Sequence, residues 1–570
     1  MTEAAITADD RAARPRKPSI FNDRRRLAML MLGFASGLPF TVVGGTLAAW
    51  FTAKGISTAT IGILSWSALA YSFKFLWSPA LHRTAAPFFA RYGLRRGWFL
   101  PLQATQVVLL FGFATLDPTT NLLAIAGIAV LVSFISATFD IVLDAWRIET
   151  ARDKDDVNAL STLVQAGYRS AAFIGGAGAL ILSDHMSWNV VLAILALIVA
   201  LTIVGSLIAP EPRYAGVSAK TASADIGRRF DREGRNIVVG IVALGWLWAF
   251  WTLGSFMVDS LVHPETSKPG PFTLTMGPLI VAATVLAPAL GAVWLLWFRK
   301  PKAQPAAPQP SKLPPWLQSA SDGLFGSVIE PMIDLIERLR WAALLALAII
   351  LSYRFADNIW GSFAYPFYMG AEHGALGHTA TEVAFASKMI GVVAIIAGIA
   401  GGGLLLKWMG RMPALVVAAA LAAATNLLFA DLATGASGMD AFLSFTHLDA
   451  LFGAFGENQL RMARLTIAIL GENLAVGFAS VVYLAYLTSM VNPKYAAVQA
   501  ALLGSLTMLI GQLGRPWLGA LIESDGFAYV FLLTAAIGLL PVVLSAAEWY
   551  RQSRLSGAEV QSEAPPAPAE

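Results

Sequence analysis

The chain has 570 residues, 56% hydrophobic and only 13% charged, with a mean hydropathy of +0.63. An ordinary soluble domain carries about 25% charged residues, so this balance excludes a soluble globular enzyme. The formal charge of +4 does not point to nucleic acid, because Lys and Arg gather in alternate loops, and the absence of cysteine excludes disulfides, thiolate metal sites and thiol catalysis.

The first 26 residues are polar and Arg-rich, without the apolar core of a signal peptide, and read as a cytoplasmic tail. Apolar runs of bilayer-crossing length then predict spans at 27–52, 58–81, 97–116, 121–146, 159–183 and 188–209. A further pair follows at 237–262 and 275–298, then 341–366, 381–406, 413–433, 464–490, 495–522 and 527–547. Cytoplasmic linkers at 211–236 and 299–340 flank the pair; the second opens on a Pro-rich spacer, and its 314–340 stretch has helical apolar spacing. That stretch reads either as a helix on the inner membrane surface or as a plain connector. The tail from 548 to 570, rich in Ala, Pro, Glu and Ser, reads as disordered. Basic loops fall on one side, so both termini of this multi-pass membrane protein are expected in the cytoplasm.

The two ends of the chain repeat each other. Gly178-Ala-Leu-Ile-Leu-Ser-Asp184 recurs as Gly519-Ala-Leu-Ile-Glu-Ser-Asp525, and Thr58-Ala-Thr60 recurs as Thr379-Ala-Thr381. The predicted fold class is therefore an all-α polytopic membrane protein of major-facilitator plan. An N-terminal six-helix half (27–210) and a C-terminal half (341–547) would enclose a cavity, with the pair 237–298 inserted, giving about fourteen helices.

Asp140, Asp144 and Arg147 stand at i, i+4 and i+7 in the fourth run, on one helix face. A charge at bilayer depth costs roughly 2.5–3.5 kcal/mol on insertion scales, so this stripe requires a protein-lined interior and marks a transport path. In the second run Tyr71, Lys74 and Trp77 share a face; Lys74 either faces the interior or snorkels to the interface. Tyr168 and Arg169 follow in the fifth run, beside Gly175-Gly176. Arg354, Asp357 and Asn358 form a stripe in the ninth, where the Arg–Asp pair either serves transport or merely neutralises itself for insertion. Lys388 lies in the tenth run, Glu472, Asn473 and Tyr483 in the twelfth, and Arg515 in the thirteenth. Aromatic rings with polar tips suit sugar cavities and membrane interfaces equally. Gly-Gly pairs read as close helix packing, and Ser36-Gly37-Leu-Pro39 as a kink beside the path. No P-loop, metal-spaced His pair or nucleophile elbow occurs, so an ion gradient is left as the energy source, and acids at membrane depth suit protons.

Ordered motifs across nearly all of the hydrophobic chain resemble the AmpG family of muropeptide permeases. They are Leu32-Gly-Phe-Ala-Ser-Gly-Leu-Pro-Phe40, Gly44-Gly-Thr-Leu-Ala-Ala-Trp50, Thr60-Ile-Gly-Ile63, Phe73-Lys-Phe-Leu-Trp-Ser-Pro79, Arg95-Arg-Gly-Trp98 and the run from Ser136 to Arg147. Gly471-Glu-Asn-Leu-Ala475, Tyr495-Ala-Ala-Val-Gln-Ala-Ala-Leu-Leu503 and Gly514-Arg515-Pro516 agree in the second half. The resemblance implies a major-facilitator fold in the bacterial inner membrane. It implies proton-driven import of GlcNAc-1,6-anhydro-MurNAc, with or without stem peptide, for peptidoglycan recycling and β-lactamase induction. His82-Arg83 departs from the family's Asp-Arg and removes a fixed negative charge from the gate loop.

The expected proton-coupling residues are Asp140, Asp144, Arg147, Glu472 and Asp357. The expected substrate contacts are Tyr71, Lys74, Trp77, Tyr168, Arg169, Arg354, Asn358, Lys388, Asn473, Tyr483 and Arg515. The expected partners are the muropeptide, protons and the lipid bilayer, with no cofactor, metal, nucleic acid or obligate protein partner. The rival readings are a transporter of another solute, such as a drug or an acyl-CoA, and a non-transporting sensor or assembly factor.

Overall fold

A computed structural model describes residues 23–78, 81, 84–212, 230–299, 313–454, 456–492 and 496–562, and these contain helices and no strand. Eleven of the described helices are long and apolar enough to cross a membrane. The difference from fourteen has local causes. The second expected span is helical from 58 but tightens to 3₁₀ turns at Ser65–Ala68 and Lys74–Leu76. The fifth opens on Lys154, Asp155 and Asp156 and carries Gln165, Tyr168, Arg169 and Ser170 in its middle, which lower its hydropathy. The last two merge into one long helical run, bent at Gly526 where φ is +81°.

In chain order the helices are α1 (Arg24–Ala53), α2 (58–72), α3 (Arg96–Ala114), α4 (Leu122–Thr150), α5 (154–183) and α6 (Trp188–Ile208). Next come α7 (Arg232–Val262), α8 (Pro269–Phe298), α9 (315–339), α10 (Ala342–Met369), α11 (Ala380–Met409) and α12 (Arg411–Ala433). The chain ends with α13 (Glu457–Met490), α14 (Ala496–Ile537) and α15 (Leu539–Ser562). The expected disorder from 548 gives way to helix as far as Ser562, while 563–570, the Pro-rich spacer and His82-Arg83 lie outside the described residues.

Small residues set the closest helix pairs. A Cβ on Gly33 would stand 2.5 Å from the Val164 carbonyl oxygen, and one on Gly167 would run into that of Leu30, so α1 and α5 meet backbone to backbone. Gly398 against Leu474 and Gly477 against Ile395 do the same for α11 and α13. Helices α1 to α6 pack among themselves, as do α10 to α15.

The two groups of helices meet along α2 and α14, where Trp66 donates to the Gln512 carbonyl at 3.0 Å and Ser72 to its side chain at 3.1 Å. Helices α7 and α8 lie over this seam. Phe256 stacks on Phe272 at 3.7 Å, and both rings pack against Trp66 of α2. Helix α9 is docked on protein rather than lying free on a membrane surface. Its apolar residues Phe325, Val328, Ile329 and Ile333 are buried, and its Asp334 accepts from Asn492 and Gln499, each at 2.7 Å.

Candidate functional site

The Asp140–Asp144–Arg147 stripe is continuous helix within α4, and its charges separate into two pairs. Asp140 is mostly buried, accepts a hydrogen bond from Ser36 Oγ at 2.6 Å and faces Lys74 Nζ at 3.8 Å. Asp144, one turn on, is 55% exposed and pairs with Arg147 at 3.1 Å. Lys74 thus reaches across to α4 instead of snorkelling away, because Asp140 offers the anion that offsets its desolvation.

Aromatic residues pack beside this ion pair. Phe40 meets Tyr71 edge-on at 4.8 Å and lies 6.0 Å from Tyr168. The hydroxyls of Tyr71 and Ser136 are buried and engage each other. Arg169, beside Tyr168, is exposed. Trp77 donates its indole N–H to Thr138 at 3.1 Å and stacks near Phe134, so its polar edge and ring are both taken up in packing.

A second cluster forms on α10, α11 and α13. Helix α10 breaks at Tyr353–Arg354 and resumes at Phe355, which turns Arg354 towards Asp357 (3.4 Å) and Ser480 (2.9 Å). Glu472 accepts from Asn473 at 3.0 Å and lies within electrostatic range of Asp357, Arg354 and Lys388. Lys388 sits over the Tyr365 ring at 5.5 Å. The Asn358 side-chain amide donates to the Thr507 backbone carbonyl, while the backbone carbonyl of Asn358 accepts from Arg515 at 2.9 Å. Tyr483 is buried, stacked on Tyr353 at 4.6 Å, with its hydroxyl shared between Ile350 and Thr507. Like Trp77, Tyr483 is engaged in packing.

The Gly-Gly pairs do more than let helices approach. Val42–Thr46, Ile174–Gly178 and Ala384–Ile390 are π-helical turns, a geometry that recurs at functional sites. They bring Gly45 against Tyr365 and Gly176 against Lys388, joining the two clusters. Sequence reasoning missed Ser36, Ser480 and Tyr365 as partners of the charged groups. Ser36 alone had a signal, its place in the Gly-Pro kink.

Proteins similar in sequence to this chain are membrane transporters. Residues 27–189 match the family model described as acetyl-coenzyme A transporter 1. The chain is 28% identical over 555 residues to the anhydromuropeptide permease of Escherichia coli K12, covering 96% of this chain and 85% of the permease. It is 24% identical to putative transporter AmpG 4 of Rickettsia felis, covering 91% and 95% of the two chains. The fold matches that of the POT-family transporter PepTSo, with a TM-score of 0.54 over 93% of this chain and 99% of that one, at 11% identity. The chain is a multi-pass membrane protein, similar along nearly its whole length to AmpG-type permeases and transporters.

Proposed function

We propose that this chain imports anhydro-muropeptides, GlcNAc-1,6-anhydro-MurNAc with or without stem peptide, across a bacterial inner membrane, driven by the downhill entry of protons. Two six-helix halves, 27–210 and 341–547, alternate access to the shared interior, with both termini cytoplasmic. The similarity to an anhydromuropeptide permease along 96% of the chain supports the substrate class.

The observation that carries this reading is the charge balance of the interior. Lys74 is matched by Asp140, Arg147 by Asp144 and Arg354 by Asp357, while Lys388 lies in range of Glu472. Of the interior cations named here only Arg169 and Arg515 are left over, fewer than a polyanion such as acetyl-CoA needs. A sugar body with one or a few carboxylates needs hydroxyl partners and an occasional cation, which Tyr71, Tyr168, Asn358 and Asn473 with Arg169, Lys388 and Arg515 provide.

In this mechanism a proton on Asp140 cancels its attraction for Lys74 and frees the lysine for a substrate carboxylate. Loss of the proton on the cytoplasmic side restores the pair and expels the substrate. Asp144, Asp357 and Glu472 are further stations for the proton.

Counterflow in proteoliposomes tests the substrate class without any gradient. Vesicles preloaded with unlabelled anhydro-disaccharide are expected to accumulate the labelled sugar, and vesicles preloaded with acetyl-CoA are expected not to accumulate labelled acetyl-CoA. The opposite pattern would overturn the muropeptide reading in favour of the acyl-CoA one.

A further inference from the structure

We propose that Asp184 and Glu523 are a paired latch, each carboxylate holding the start of a helix in the opposite half, which keeps the Lys- and Arg-poor end of the transporter shut. Asp184, just after α5, accepts from the Thr381 amide of α11 at 2.8 Å. Glu523, in α14, accepts from the Ala59 amide of α2 at 2.8 Å and from the Thr58 hydroxyl at 3.3 Å. The two crossings share one register. Ser57 caps α2 by accepting from the Thr60 amide, and Thr379 caps α11 by accepting from the Glu382 amide. In each helix the third amide goes to its own cap residue and the second to the foreign carboxylate.

This arrangement explains the internal repeats and corrects their alignment. The Thr-Ala-Thr matches are one residue out of structural register, since Ser57 corresponds to Thr379. The second carboxylate is Glu523, not Asp525, which instead accepts from its neighbour Ser524 at 2.6 Å. The seam is tight beside one latch, where a Cβ on Gly519 would run into the Thr58 carbonyl oxygen.

Both carboxylates are exposed, and a carboxylate at a helix start is a modest interaction in water. Two modest contacts suit a seam that opens once per cycle, because they bias the closed state without trapping it. The inference rests on the transporter reading but not on the identity of the solute.

The chain has no native cysteine, so Gly44→Cys places one thiol inside the shut end. Gly44 lines a small cavity with Ser65 and Ser362, and a Cβ there meets nothing within 4 Å. A membrane-impermeant maleimide is applied to right-side-out and to inverted vesicles. Asp184→Asn and Glu523→Gln are each expected to raise labelling about threefold from the outer side, and about tenfold together, with Asp525→Asn at the parent rate. Parent-rate labelling in both single variants, or an equal rise in Asp525→Asn, would overturn the latch. Either single substitution carries the test should the double variant misfold. Labelling needs no substrate, so a failure of the muropeptide reading leaves this result intact.

Discussion

Lys388 of α11 lays its side chain across Gly176 of α5, so that a Cβ at position 176 would stand 3.1 Å from the lysine Cε. Gly176→Val therefore displaces the lysine from Tyr365 and from the range of Glu472. Uptake is expected to fall about tenfold or more. The loss should be non-additive with Lys388→Ala, since both changes remove one contact between neighbours. Initial uptake rates of the two single variants and the double variant form the cycle that checks this.

Asp334 anchors α9 by accepting from Asn492, Gln499 and Arg338, the last at 2.9 Å. Asp334→Ala leaves the buried Gln499 amide with the Pro331 carbonyl at 3.2 Å and removes its closer, charged acceptor. The expected loss is about 1.5–3 kcal/mol, the size of a hydrogen bond to a charged group. Thermal unfolding in detergent measures it, and a melting curve equal to the parent's would count against the network.

His378 is 5% exposed in the loop before α11, and its ring Nδ1 lies 2.9 Å from the Glu382 carboxylate. Burial pushes its pKa below the ordinary histidine value, Arg461 adds to the push, and Glu382 opposes it. The folded protein thus prefers the neutral ring. The stability this gives is present above pH about 6.5 and is lost as pH falls through the lowered value. Melting temperature should drop between pH about 7.5 and about 5.5, and His378→Gln should flatten that drop.

Gly167 lies against the α1 backbone, where an added Cβ would stand 2.7 Å from the Phe34 nitrogen. Backbone cannot rotate away as a side chain can. Gly167→Ala is expected to cost about 1–3 kcal/mol, the usual range for overpacking. Expression and melting of this variant beside Gly44→Ala, which meets open space, check the prediction.

That Asp140, Asp144 and Arg147 share one helix face was legible, because spacing alone sets it. The pairing was not, since whether Lys74 or Arg147 serves Asp140 depends on how α2 crosses α4, and no local periodicity carries that angle. Trp77 and Tyr483 were read as sugar contacts from residue type, and only the packed structure shows Thr138 and Thr507 occupying their polar atoms. Gly175-Gly176 was legible as close packing but not as a π-helical turn, because glycine's freedom leaves the choice of helix to its neighbours. The repeats were visible as words but not as contacts. Each word meets the other half, not its own twin.

The most direct test of the account is uptake of labelled anhydro-disaccharide into right-side-out vesicles under an imposed inward proton gradient, comparing the parent chain with Asp140→Asn. The account predicts gradient-driven accumulation by the parent that a protonophore collapses. Asp140→Asn should lose that accumulation while keeping counterflow. Accumulation by Asp140→Asn at the parent level, still dependent on the gradient, would contradict the assignment of Asp140 as the residue that couples protons to transport.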